Sequence, residues 1–336
     1  MNSGVDEIGN NGQSNDTVDV NPINGANGEN NDEGDALGSG GNSNGENYAR
    51  MPVAKYASHY KMDFPEKSIA YIFNHETFQV HDLRKRAGTN RDSENLRKVL
   101  INLNFDVHEF KDLRHDELMQ NLDHLAKMDH SKKSCIIVSV LSHGEMGIIY
   151  AKDTCYKPDD LWKNFTGDRC PSLAGKPKMF FIQACQGDKL DKGVNMIRTE
   201  TDGESHHSYK IPVQADFLMM YSTYKGYYSW RNTTNGSWFI QALCEELRAR
   251  SANDDLLTIL TYVTQRVALD YESNTPDNST MHRQKQIPCI MSMLTRLVRF
   301  NPGSDSEGNI LTTEVENKNK NKFTAIFNSL GNISKT

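Results

Sequence analysis

Short unbroken apolar runs alternate along this chain with stretches whose apolar residues recur every three or four positions. The runs read as buried strands, the recurring pattern as amphipathic helices. A first run covers 68–73. Leu96, Val99, Leu100 and Leu103 then follow at helical spacing, with Asp92 or Ser93 placed to cap the helix. Residues 105–110 alternate as a second strand, and Leu118, Leu122 and Leu125 mark a helix over 116–128. Two apolar runs, 135–141 and 178–184, flank a short helical pattern at 159–165. Beyond them lie a strand at 216–222, amphipathic helices at 239–250 and 254–270, and a last strand pattern at 287–300. Strands alternating with helices predict βαβ units, and hence an α/β fold on a mostly parallel sheet.

The pattern stops at both ends. Residues 1–50 are built from Asn, Gly, Ser, Asp and Glu with few large apolar side chains and no helical period. Such a segment cannot bury enough apolar surface to offset its ordering entropy, so disorder is expected. It holds nine acidic residues and one arginine; the whole chain is at −6, so the remainder is close to neutral. Residues 301–336 return to Asn, Lys, Ser and Gly as a low-complexity tail. Residues 188–209 are polar and aperiodic, a long connection of the kind that is usually functional. No basic run, zinc-finger spacing or RNA-binding signature points to nucleic acid. No leader-like apolar segment or run of membrane-spanning length points to secretion or a membrane. The six cysteines lack metal or framework spacing, which suits a reducing cytoplasm with no metal and no cofactor.

Two of the apolar runs deliver a reactive side chain just past their ends: 178–184 is followed by Cys185, and 135–141 by Ser142, His143 and Gly144. Sites in open α/β sheets form outside the carboxyl ends of strands. A thiolate attacks a carbonyl where a thiol does so poorly, and an imidazole can take the proton. A single cysteine in such a place is more often a small buried hydrophobe. The flanking residues shift that balance. Gln183-Ala184-Cys185-Gln186-Gly187, with His143 upstream, matches the caspase signature. Over residues 65–300 the chain resembles the caspases, and within them the insect executioner enzymes.

The resemblance implies a six-stranded, mostly parallel sheet flanked by helices, with a homodimer extending the sheet across a two-fold axis. It implies a cysteine endopeptidase that cuts after aspartate, with an Asp-Glu-x-Asp preference. Cys185 would be the nucleophile, His143 the acid and base, and the backbone N–H groups of Gly144 and Cys185 the oxyanion donors. Arg86, Gln183 and Arg231 match the positions that hold the aspartate before the cut (P1). A buried carboxylate needs such planar, bidentate donors. Tyr228 and Trp230 match the apolar P2 site, and Asn232 and Trp238 the P4 site. Trp238 also opens the 239–250 helix pattern, where it would serve as helix core.

The same resemblance implies a zymogen. Asp202, in Thr199-Glu200-Thr201-Asp202-Gly203, and Asp35, in Asp32-Glu33-Gly34-Asp35-Ala36, carry the expected taste of the pocket. Asp188 and Asp191 are alternatives. The chain then reads as a propeptide region (1–50), a large subunit (51–202), a small subunit (203–300) and the tail (301–336). Expected partners are protein substrates with exposed Asp-containing loops, an upstream initiator caspase and inhibitor-of-apoptosis proteins. A phosphatase would place an arginine shortly after Cys185, and 186–192 contains none. A phosphate-binding Gly-x-x-x-x-Gly-Lys-Ser/Thr loop is absent. The remaining alternative is a catalytically inactive, caspase-like interaction protein; the presence of Cys185, His143 and both arginines counts against it.

Overall fold

Six strands form the central sheet: β1 (Ile69–Asn74), β2 (Asp106–Lys111), β3 (Ile136–Leu141), β4 (Lys178–Gln183), β5 (Phe217–Tyr221) and β6 (Cys289–Ser292). The structure, a computed structural model, describes residues 52–192 and 212–300. The strands lie in the order β6-β5-β4-β3-β1-β2, and only β6 runs antiparallel to its neighbour. Every residue of β1, β3 and β4 is buried. Strands covered on both faces need apolar residues at every position, which is why these three stand out as unbroken runs. Strand β2, at the edge, has no buried residue; its two apolar side chains, Val107 and Phe110, are half-buried.

Among the described residues four α-helices cover the sheet: α1 (Thr89–Asn102), α2 (His115–Lys127), α3 (Trp238–Arg250) and α4 (Leu256–Asp270). Alternate strand residues point to opposite faces. Ile72, Ile137 and Phe181 pack with Leu96 and Leu100 of α1, Leu243 of α3 and Leu260 of α4. Phe73, Val138 and Phe180 pack on the other face with Leu118, Leu122 and Leu125 of α2. From β1 the chain crosses to β2 on one side and then returns to β3 on the other. That reversal opens a crevice at the carboxyl ends of β1 and β3, the place where open α/β sheets bind ligands.

Three expectations change. Helix α1 begins at Thr89, with Gly88 (φ 90°) at its N-cap and no side-chain cap. Asp92 and Ser93 therefore lie inside the helix; the Asp92 carboxylate reaches a tertiary partner, Ser237, instead of the local backbone. The pattern at 159–165 forms only a 3₁₀ turn, Pro158–Leu161, and its apolar spacing reflects core packing of Leu161 and Phe165. The last strand pattern shrinks to Cys289–Ser292. Past it the chain is drawn aside by polar contacts, with the Thr295 hydroxyl and the Tyr60 phenol both donating to buried Asp216 (2.6 and 2.7 Å). Two small antiparallel units were not anticipated: strands Gly144–Glu145, Ile148–Tyr150 and Cys155–Tyr156, and the ribbon Arg231–Asn232 with Gly236–Ser237. Strands of two or three residues leave no period to read.

The expected tails at 1–50 and 301–336, and both cleavage positions, Asp35 and Asp202, lie outside the described residues. Among the described residues no helix is long and apolar enough to cross a membrane.

Ion pairs join helices α3 and α4. The Glu246 carboxylate on α3, only 4% exposed, accepts from Nε of Arg250 (2.6 Å) and from Nε of Arg266 on α4 (2.6 Å). Removing one member of a buried pair strands the others. The arginines here are partly solvated, which discounts the loss. Glu246→Ala is expected to lower unfolding free energy by about 2 kcal/mol, read from urea denaturation.

Candidate active site

Parallel register places the two reactive side chains. Leu141 of β3 stands opposite Gln183 of β4, and the Ser142 N–H still donates to the Gln183 carbonyl at 3.0 Å. His143 and Cys185 each follow two residues further along, past the carboxyl ends of these neighbouring strands. Beyond Gln183 the ladder is completed by a hydroxyl: Ser222 Oγ accepts from the Ala184 N–H (3.3 Å) and donates to the Ala184 carbonyl (3.0 Å). Strand pairing therefore ends one residue before the cysteine. Gly144 sits directly against this turn. A Cβ there would lie 2.6 Å from the Cys185 carbonyl oxygen and 3.0 Å from Ala184 Cβ, so any side chain would push the two segments apart.

Each reactive group has a defined partner. Nε2 of His143 donates to the Arg84 carbonyl at 2.7 Å. That bond fixes the tautomer and leaves Nδ1 as the proton acceptor. The Phe78 ring packs on the imidazole, centroids 4.9 Å apart. The Cys185 thiol donates to the Ser229 carbonyl (3.7 Å) and accepts from the Ser229 N–H (3.4 Å). Burial pushes the thiol pKa up, against the Ser229 N–H and the charges of Arg86 and Arg231, which lower it. Burial also depresses the His143 imidazole to about 4, helped by the same two arginines. At neutral pH the pair is thus a thiol and a neutral imidazole, not an ion pair.

Arg86 is 1% exposed, on the loop between β1 and α1. Its Nη1 donates to the His75 carbonyl (2.9 Å) and to Thr89 Oγ1 (2.7 Å). Its Nε and Nη2, the edge that grips a carboxylate with two parallel bonds, are buried without a partner. Burial, and then the charge of Arg231, depress this guanidinium to about 9, still cationic at neutral pH. Gln183 donates through Nε2 to Ser229 Oγ (2.7 Å), while its Oε1 is buried and unmatched. Arg231 is half-buried and donates from Nε to the Ala87 carbonyl at 2.9 Å. Two guanidinium groups whose charges act on the Cys185 thiol, one of them with an unmatched donor edge, have the chemistry to hold an anionic side chain. A separate cavity of about 220 Å³ reaches Cys185 past Ile149, Asp159, Gln186, Tyr221 and Lys225; neither arginine lines it.

The expected aromatic wall is a column. Tyr228 leans on Trp230 (6.4 Å), Trp230 stacks on Trp238 (5.7 Å), and Trp238 stacks on Tyr271 (5.5 Å). Trp238 is buried at the head of α3, so it supports Trp230 from behind. Asn232 is exposed, and its Oδ1 accepts from the N–H groups of Thr234 (2.8 Å) and Asn235 (2.9 Å), closing the ribbon turn. Three contributors had no sequence signal: Ser222, Tyr271 and the carbonyl of Arg84. A fourth, Asp92, had the signal of a helix cap.

The caspase domain family matches residues 67–299. This chain is a caspase. It is 58% identical to Caspase-1 of Spodoptera frugiperda over 79% of this chain and 89% of that one. Caspase drICE of Drosophila melanogaster is also 58% identical, over 76% of each chain. Bovine Caspase-3 (Bos taurus) is 47% identical over 72% of this chain and 87% of its own. The crystal structure of the Spodoptera enzyme superposes with a TM-score of 0.72 at 56% identity, over 77% of this chain and 99% of that one. The caspase is accordingly a cysteine-type endopeptidase and an executioner protease of apoptosis, of a family that acts on proteins and assembles as dimers. These relatives do not favour an inactive interaction protein.

Because the resting thiol is neutral and its pKa lies above the ordinary value of 9.0, alkylation of Cys185 by iodoacetamide without substrate should keep accelerating past that pH. A rate already at its plateau at neutral pH would show a preformed thiolate and overturn this description.

Proposed function

We propose that the caspase cuts peptide bonds on the carboxyl side of aspartate, with Cys185 as nucleophile and His143 as acid and base. The observation that carries this reading is the unmatched Nε and Nη2 edge of buried Arg86. A P1 aspartate would supply the missing acceptor, flanked by Arg231 and Gln183. A neutral P1 side chain would leave the edge unmet, and a lysine would add a third cation.

In this reading the thiol proton passes to Nδ1 of His143 as the sulfur attacks the scissile carbonyl. The N–H groups of Gly144 and Cys185 receive the developing oxyanion. The imidazolium then gives its proton to the leaving amine, and a water deprotonated by the same ring hydrolyses the thioester. The thiol must first leave Ser229, whose backbone groups, with those of Arg231, then become free to pair with an extended peptide. Tyr228 and Trp230 form the P2 wall. Asn232 takes the P4 aspartate through its free amide, with Trp238 as backing, giving the preference Asp-Glu-x-Asp.

The chain is made as a zymogen in this account. Cutting after Asp35 removes residues 1–35, most of the propeptide region (1–50), and cutting after Asp202 separates the large-subunit region (51–202) from the small (203–300). An initiator caspase would make the first cut, and inhibitor-of-apoptosis proteins would bind the processed enzyme. Strand β6, whose Cys289 and Ile290 are half-buried and whose Met291 is exposed, is the edge available to a second copy across a two-fold axis. Six free cysteines suit a cytoplasmic location.

Turnover of an Asp-Glu-Val-Asp fluorogenic peptide tests the assignment. Cys185→Ala and His143→Ala should each lower kcat/KM by about a thousandfold or more; wild-type turnover by Cys185→Ala would refute it. N-terminal sequencing of the processed protein should find new termini at Ala36 and Gly203, and other termini would reject these cleavage positions.

A further inference from the structure

The carboxylate of Asp92 belongs to the seam that joins the two arginines, yet nothing in the reaction uses it. Arg86 lies on the loop that leads into α1; Arg231 lies on the ribbon that leads into α3. Three contacts hold the ribbon on the loop. Arg231 Nε donates to the Ala87 carbonyl (2.9 Å). Gly88 packs so closely on the ribbon turn that a Cβ would lie 2.8 Å from the carbonyl oxygens of Asn232 and Thr233. Third, the Asp92 carboxylate accepts the Ser237 N–H at both oxygens (2.8 and 3.0 Å) and the Ser237 hydroxyl at Oδ2 (2.6 Å). Ser237 is the residue paired with Arg231 across the ribbon.

We propose that Asp92 is a positioning residue for aspartate recognition, an anionic latch that holds the Arg231 ribbon at the distance from Arg86 that a P1 carboxylate needs. The proposal rests on reading Arg86 and Arg231 as the P1 site. Asp92 is 1% exposed, and its charged form is disfavoured by burial, which raises its pKa to about 6 against the bonds from Ser237 and the charges of Arg86 and Arg231. The group facing it from α3, Cys244, is a neutral thiol, pushed up to about 12 chiefly by burial. A carboxyl whose pKa is raised on folding stabilises the fold below its unfolded value and loses that contribution as pH rises through the folded one. Above pH 6 the charged carboxylate therefore detracts from stability while completing the latch, a conflict typical of functional sites.

Asp92→Asn keeps the shape and removes the charge. At pH 7.5 its melting temperature should equal or exceed the wild type's. Its KM for the Asp-Glu-Val-Asp peptide should rise about tenfold, the loss expected for a charged hydrogen bond, with kcat within about threefold. As pH falls below about 6 the wild-type KM should climb while that of Asp92→Asn stays flat. A KM at or below wild type, or an unchanged acid limb, would overturn the proposal, as would a lowered melting temperature with KM per active site unaltered. Ser237→Ala, which removes the 2.6 Å bond from the other side, should raise KM in the same direction and decides the matter if Asp92→Asn fails to fold. Turnover surviving Arg86→Ala would sink the P1 site itself; an unchanged KM in Asp92→Asn sinks only the latch.

Discussion

A desolvated cation sits at the centre of this structure. Taking a guanidinium out of water costs several kcal/mol unless its donors are met, and Arg86 meets only part of that requirement, through the His75 carbonyl and Thr89. Thr89 is in turn tied to Asn74 Oδ1 at the end of β1 (2.7 Å), so the sheet itself holds the arginine in place. What remains unmet is directional: two N–H groups on one edge. In the proposed reading, an acidic side chain that met this edge would remove a standing electrostatic penalty as well as add contacts. Selectivity of this kind comes from what other side chains leave unsatisfied.

Placement of the chemistry beside that cation follows from strand order. Because β3 and β4 are parallel neighbours, the residues after them emerge on the same edge. Because the order reverses between β1 and β3, the loop bearing Arg86 flanks the same crevice. The arginines then act on the reacting groups at short range, lowering the imidazole and opposing the rise in the thiol. Burial outweighs them on the sulfur, so the resting site is unprimed, with the thiol bonded to the strand segment at Ser229.

Helices show how far local signals reach. The apolar spacing of Leu96, Val99 and Leu100 located α1, since burial of that face on the sheet governs both pattern and structure. The cap failed because Asp92 found charge-assisted bonds to Ser237, far along the chain, stronger than any to its own first turn. Trp238 illustrates the opposite outcome: its place in the helix pattern foretold burial, and it is buried.

Sequence by itself determined the three fully buried strands, the four helices and the α/β class, because burial on both faces of a strand, or along one face of a helix, is a local property. Only the tertiary structure decided which donors were left unmet on Arg86, which oxygen fixed the His143 tautomer, that Ser222 ends the pairing before Cys185, and that Asp92 faces Ser237. Each of these is a contact between segments distant in the chain, and no local period or propensity encodes the partner at the other end.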